Sequence, residues 1–168
     1  MKLSLSLRIT YLVAAALALT LTFGAAAPVG AETLACPDPA TAVQVGVCPA
    51  EEELRYTFTA YCADDARMYG KDKETCASFE DYRKLKNIAL WESADGVFQA
   101  YISCDLPANT LKTLKPASIA LSRQGKLTRL ACVYPEDVVF TYRTKATCAV
   151  RGDGQCAGNP ANCEARCD

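Results

Sequence analysis

Ten cysteines, all after position 35, stand against no histidine anywhere in 168 residues. No other feature constrains the chain as much. Thiols at this density point to an oxidising compartment and a fold held by disulfides. The missing imidazole removes Ser-His-Asp and Cys-His catalysis, histidine-supported metal sites and a histidine pH switch.

The N-terminus explains why the cysteines begin so late. Lys2 and Arg8 form a positive start, Ile9 to Phe23 is an apolar and threonine run, and Val29-Gly30-Ala31 is a small-residue end suited to signal peptidase. We therefore expect a cleaved signal peptide over 1–31 and a secreted or periplasmic protein with no membrane attachment afterwards. An uncleaved anchor is disfavoured by Gly24 and Pro28. Lipidation at Cys36 is disfavoured because Thr33 breaks the lipobox pattern and because it would leave an odd number of thiols. The first 31 residues carry two basic residues and no acid, so the 18 basic and 19 acidic residues become 16 and 19, a net of −3. That mild acidity argues against a nucleic-acid partner.

Residues 32–168 make one domain's worth of chain, enough for a modest core with heavy stapling. All ten cysteines, Cys36, Cys48, Cys62, Cys76, Cys104, Cys132, Cys148, Cys156, Cys163 and Cys167, are expected in structural bridges. Neighbourhood suggests that Cys36 and Cys48 close an N-terminal loop, that Cys62 and Cys76 flank a helix end, and that the last four pair among themselves. Each short loop closed this way contributes about 3 kcal/mol on chain-entropy grounds. No C-x-x-C occurs, and Cys163 to Cys167 matches neither a redox nor a zinc spacing. Neither a metal nor a cofactor is expected.

Four segments follow. Residues 32–49 contain three prolines and little periodicity and read as a tethered loop. Residues 50–86 are helical: Glu51 to Glu53 sit where the helix dipole favours acids, and Leu54, Phe58, Tyr61, Cys62 and Met68 recur at helical spacing towards Gly70. A second helix begins at Ser78, with Asp81 three residues on and Phe79, Tyr82 and Leu85 as its apolar stripe. Over 87–150 the period changes to two, with turns at Asp95-Gly96, Gln124-Gly125 and Pro135-Glu136-Asp137. Residues 151–168 read as a cysteine-rich tail.

The expected fold is α+β: two N-terminal helices on one face of a four- to five-stranded antiparallel meander, stapled by disulfides. In architecture alone, helices followed by an antiparallel meander resemble the cystatin-like folds. The Gln-Val-Val inhibitory loop of that family is absent, so no residue roles are carried over and only an inhibitor-like or binding role is implied.

Function is sought on the polar face of the sheet. Alternation puts Gln99, Tyr101, Arg129, Arg143 and Lys145 on the side away from the helices. Tyr101, Arg129, Arg143 and Lys145 then form a basic surface with an aromatic, suited to an acidic protein or an anionic envelope polymer. The expected function is a non-catalytic exported binding or inhibitor-like protein. The alternative is a small hydrolase using a carboxylate pair drawn from Glu51 to Glu53, Asp64-Asp65 or Glu80-Asp81, although solvated helix faces and caps account for all of these acids. Arg151-Gly152-Asp153 resembles an integrin-binding tripeptide, but turn chemistry explains it.

Overall fold

The computed structural model describes residues 31–156 and 160–168. The segment read as a signal peptide, apart from Ala31, lies outside them. The described chain is α+β, with two antiparallel sheets and five disulfides.

Period-two patterning places the main sheet. Strands β3 (Ile88–Glu92), β4 (Gln99–Ser103), β5 (Ser118–Gln124), β6 (Leu127–Val133) and β7 (Val139–Thr144) join a short β2 (Val43–Gln44). The inward residues are those the alternation selects: Ala89 and Trp91, Ala100 and Ile102, Ile119, Leu130 and Cys132, and Phe140. Their order across the sheet is β2-β3-β4-β7-β6-β5, so it is not a simple meander. After β4 the chain leaves the sheet through a helical turn, Ala108–Leu111, which sends Leu111 and Leu114 into the core. It returns at the far edge, and β7 rather than β5 lies beside β4. Burying those two leucines is the gain that a direct hairpin from β4 to β5 would forgo.

The inner face is not covered by the helices, contrary to expectation. A second sheet covers it: β1 (Glu32–Ala35), β9 (Glu164–Cys167) and β8 (Cys148–Val150), in the order β1-β9-β8. Leu34, Cys163, Ala165 and Cys167 meet the main-sheet residues in one apolar cluster. Two expectations are corrected here. The N-terminal segment 32–49 supplies strands β1 and β2 instead of a loop. The C-terminal segment is a core layer instead of a tail, with Cys156 and Cys163 fully buried. Its sequence is short of local signal because its strands are short and its apolar positions are mostly cysteine and alanine.

The alternating pattern after the Pro135-Glu136-Asp137 turn does not stay in one sheet to the end of 87–150. At Lys145 the chain bends out of the main sheet: Thr144 Oγ1 accepts from the Ala146 amide at 3.1 Å, and Thr128 Oγ1 donates to the Ala146 carbonyl at 2.8 Å. Beyond the bend, β8 belongs to the second sheet.

The pairings are Cys36–Cys132, Cys48–Cys104, Cys62–Cys76, Cys148–Cys167 and Cys156–Cys163, with no free cysteine. The helical pair and the C-terminal group match the sequence reading, whereas Cys36 and Cys48 do not pair with each other. Cys36 follows β1 and reaches across the layers to Cys132 in β6. Cys48 leads into the helical segment and is fastened to Cys104 at the end of β4.

Helices α1 (Glu51–Tyr61) and α2 (Phe79–Lys86) pack on each other. Leu54, Cys62, Cys76 and Tyr82 are buried in a second, smaller cluster, with Phe58, Tyr61 and Phe79 against it. Phe58 meets Phe79 edge-on at 5.8 Å between ring centroids. Helix α1 stops well before Gly70 because Asp64 Oδ1 accepts from the Ala66 amide at 2.9 Å, a local turn that competes with helix continuation. A π-helical turn at Arg67–Lys71 follows, and Met68 is not in the cluster. The start of α2 has the capping geometry its sequence announces, with Ser78 Oγ accepting from the Asp81 amide at 3.1 Å. Leu85, counted on its apolar stripe, is exposed.

Gly154 ties the second layer to the outer edge of the main sheet. Its carbonyl accepts from the Ile119 amide at 2.8 Å, and the Cys156 amide donates to the Ala117 carbonyl at 3.0 Å. Its φ is +77°, and a Cβ there would lie 2.4 Å from the Ile119 carbonyl oxygen. Gly152 has φ +65° with open space around it. Gly152→Ala should therefore cost only the left-handed backbone penalty, about 1–2 kcal/mol. Gly154→Ala should cost clearly more, because the clash adds to that penalty. Urea unfolding of the two oxidised variants checks this, and equal losses would contradict it.

Candidate functional site

The outer face of the main sheet carries the residues selected from the sequence. In the β6–β7 register Arg129 stands directly opposite Arg143, and Ala131 opposite Thr141. The β4–β7 seam is held by one register pair, Gln99 with Thr141, with Thr141 Oγ1 donating to the Gln99 carbonyl at 3.2 Å. Along this sparse seam lies a shallow depression of about 230 Å³, lined by Gln99, Ala100, Tyr101, Arg129, Val139, Thr141 and Arg143. Tyr101 is 68% exposed.

Three of the four selected residues, Tyr101, Arg129 and Arg143, are thus brought together. Lys145 is exposed in the bend after β7 and is not part of the lining. Val139 and Thr141 share the parity of Arg143, so their face was legible. Their role as walls was not, because it depends on β7 lying beside β4, which no local pattern encodes.

Two arginines facing each other across a strand pair repel, an arrangement that costs a few tenths to about 1 kcal/mol. Among the described residues neither has an ion-pair partner. The lining contains no carboxylate. Beside the lining stands Glu92, register partner of Gln99, whose Oε1 accepts from Gln99 Nε2 at 3.0 Å.

Three of the acids weighed for catalysis, Glu51, Asp64 and Asp81, have side-chain partners within the chain. Glu51 bonds Arg55 at 2.9 Å and Arg83 at 3.3 Å. Asp64 closes the turn after α1. Asp81 belongs to the α2 cap, and its hydrogen bond with Ser78 holds its carboxyl below the ordinary range. Arg83 also grips Asp105 through two bonds of 2.7 Å. This pairing raises the guanidinium pKa further and lowers that of Asp105.

Two further depressions lie on the second sheet and its turn. One includes Glu164 and the other Asp153, and neither contains two carboxylates. In the Arg151-Gly152-Asp153 turn, Arg151 is paired with Glu164 at 3.1 Å, and Asp153 Oδ1 accepts from the Gln155 amide at 3.0 Å. Both charged ends of the tripeptide are therefore engaged within the chain. Among the described residues no group of three or more potential metal ligands occurs.

No family model matches this chain, and no curated protein or solved structure shows a significant likeness to it. The architectural resemblance to cystatin-like folds also lapses, because helices do not cover the sheet and the strand order is not that of a meander.

If Arg129 and Arg143 are held opposite each other against repulsion, removing one charge should relieve the fold. Arg129→Gln is expected to raise unfolding stability by about 0.2–1 kcal/mol at low salt. The gain should shrink as salt screens the parent pair. Chemical denaturation at low and high ionic strength measures both, and a destabilised Arg129→Gln would show that the pair is not repulsive.

Proposed function

We propose that this is an exported, non-catalytic binding protein whose outer sheet face receives an anionic group at Arg129 and Arg143, with Tyr101 as the neighbouring contact. Five bridges among ten cysteines suggest an oxidising, extracellular type of environment. No described helix is long and apolar enough to cross a membrane. Together with the N-terminal pattern, these features support export by a signal peptide cleaved after Ala31, to the periplasm or the exterior.

The observation that carries the reading is the directly opposed, carboxylate-free arginine pair. A bound anion would convert its repulsion into two charge-assisted hydrogen-bonding partners. Arginine suits the task because its planar fork matches carboxylate, sulfate and phosphate oxygens. The depression is open and its lining holds no carboxylate and no cysteine, so the surface is suited to holding a partner.

Two measurements test the proposal. The exported protein should begin at Glu32 on N-terminal sequencing. Titration of the ¹⁵N-labelled mature protein with sodium sulfate at low ionic strength should shift the Arg129 and Arg143 side-chain resonances and those around Tyr101. Arg143→Glu should weaken that binding at least tenfold. Shifts centred elsewhere, or an unchanged Arg143→Glu titration, would remove the site.

A further inference from the structure

The arginine pair belongs to a larger pattern. Segments 117–134 and 138–150 hold no Asp or Glu, yet they carry Arg123, Lys126, Arg129, Arg143 and Lys145. The register gathers all five at one end of the β5–β6–β7 unit. Arg123 is the partner of Thr128, which pairs in turn with Thr144, so Arg123 shares the inner-face parity of the buried Thr128 and stands at this end on the other side of the sheet. Arg129 and Arg143 are one step further in, Lys126 is in the β5–β6 turn, and Lys145 is in the bend after β7. All five are exposed, and none has an ion pair among the described residues. The acids of this unit, Glu136 and Asp137, sit in the turn at its opposite end. On a chain whose mature form carries a net negative charge, this one-sided field is local to that end.

Resting on the site proposed above, we infer that its ligand is a linear anionic polysaccharide, lying from Tyr101 across Arg129 and Arg143 towards the Lys126 and Lys145 end. Three features select this class. The depression, about 230 Å³, is smaller than the roughly 300–1,000 Å³ that encloses a small ligand. An extended chain crossing an open face needs no enclosure. Arg129 and Arg143 stand on adjacent strands about 4.8 Å apart, a spacing close to the length of one pyranose unit, with Lys126 and Lys145 in the turn and bend beyond them, so successive acidic sugars meet successive charges. Tyr101 offers an exposed ring beside the arginines, against which the apolar C–H face of a pyranose packs while its acid group reaches Arg143. A nucleic acid is disfavoured because the protein is net acidic and this face offers one exposed aromatic for stacking. An acidic peptide gains little from a lone ring on a flat surface.

The test uses the mature oxidised protein with galacturonate monomer and an octameric oligogalacturonate, measured by calorimetry at several salt concentrations. Polyglutamate and a single-stranded oligonucleotide of equal charge serve as comparators. The octamer should bind at least 30-fold more tightly than the monomer, and its affinity should fall steeply with salt as several cations release counterions. The combined Lys126→Gln and Lys145→Gln variant should lose at least tenfold in octamer affinity while its sulfate binding stays unchanged. Tyr101→Ala should weaken the octamer more than polyglutamate. Absence of a gain with chain length, or equal or tighter binding of polyglutamate or the oligonucleotide, would overturn the polysaccharide assignment. Intact sulfate shifts at Arg129 and Arg143 would then leave the underlying site standing, whereas loss of those shifts would remove both.

Discussion

The Cys36–Cys132 bridge joins the two layers on which everything else rests. Cys132 is fully buried on the inner face of β6, and Cys36 follows directly on β1 of the covering sheet. Residues 96 positions apart are joined there, and closing a loop of about 100 residues removes on the order of 4.7 kcal/mol of unfolded-state freedom on chain-entropy grounds. The same region is reinforced without sulfur. The Cys36 amide donates to the Cys163 carbonyl at 2.9 Å, and the buried Tyr134 hydroxyl donates to the Pro37 carbonyl. Burial pushes the Tyr134 hydroxyl pKa upward, so it stays a donor. With β1 and β9 fixed over it, the main sheet has one dry face, and its other face is exposed.

The helical segment is an appendage with its own small cluster. It is fastened to the sheet by Cys48–Cys104 and by Arg83, whose guanidinium meets Asp105 and Glu51. Asn87 adds a bond from Nδ2 to Asp105 Oδ1 at 3.1 Å. The ion pairs among these contacts are largely solvent-exposed and each is worth little alone. Their value is geometric: they fix where the chain re-enters the sheet at β3, and so the register that sets Leu90 opposite Tyr101. Of the acids that looked like catalytic candidates in the sequence, Glu51 is occupied in the helical segment's ion pairs, Asp64 in the turn after α1 and Asp81 in the α2 cap.

The outer face spends stability on an arrangement that packing does not require. Opposed arginines with no carboxylate in the lining around them are unfavourable in the free protein. Their partner parity was legible because β6 and β7 alternate cleanly, with Leu130, Cys132 and Phe140 facing in. The depression beside them was not legible, because it arises at the β4–β7 seam. That seam exists because Leu111 and Leu114 carry the connector into the core and deliver β5 to the far edge.

From residue order alone came the oxidising compartment, the absence of histidine chemistry, the alternating strands with their inward residues, the Ser78 cap, the Cys62–Cys76 bridge and the shared face of Tyr101, Arg129 and Arg143. All of these depend on neighbours a few positions apart or on composition. The tertiary structure decided the pairing of Cys36 with Cys132 and Cys48 with Cys104, the order of strands, and the use of both chain ends as a covering sheet. It also showed that the helices pack on each other. These are long-range choices, made by which apolar surfaces find one another in space, and short cysteine- and alanine-rich strands carry almost no local pattern to announce them.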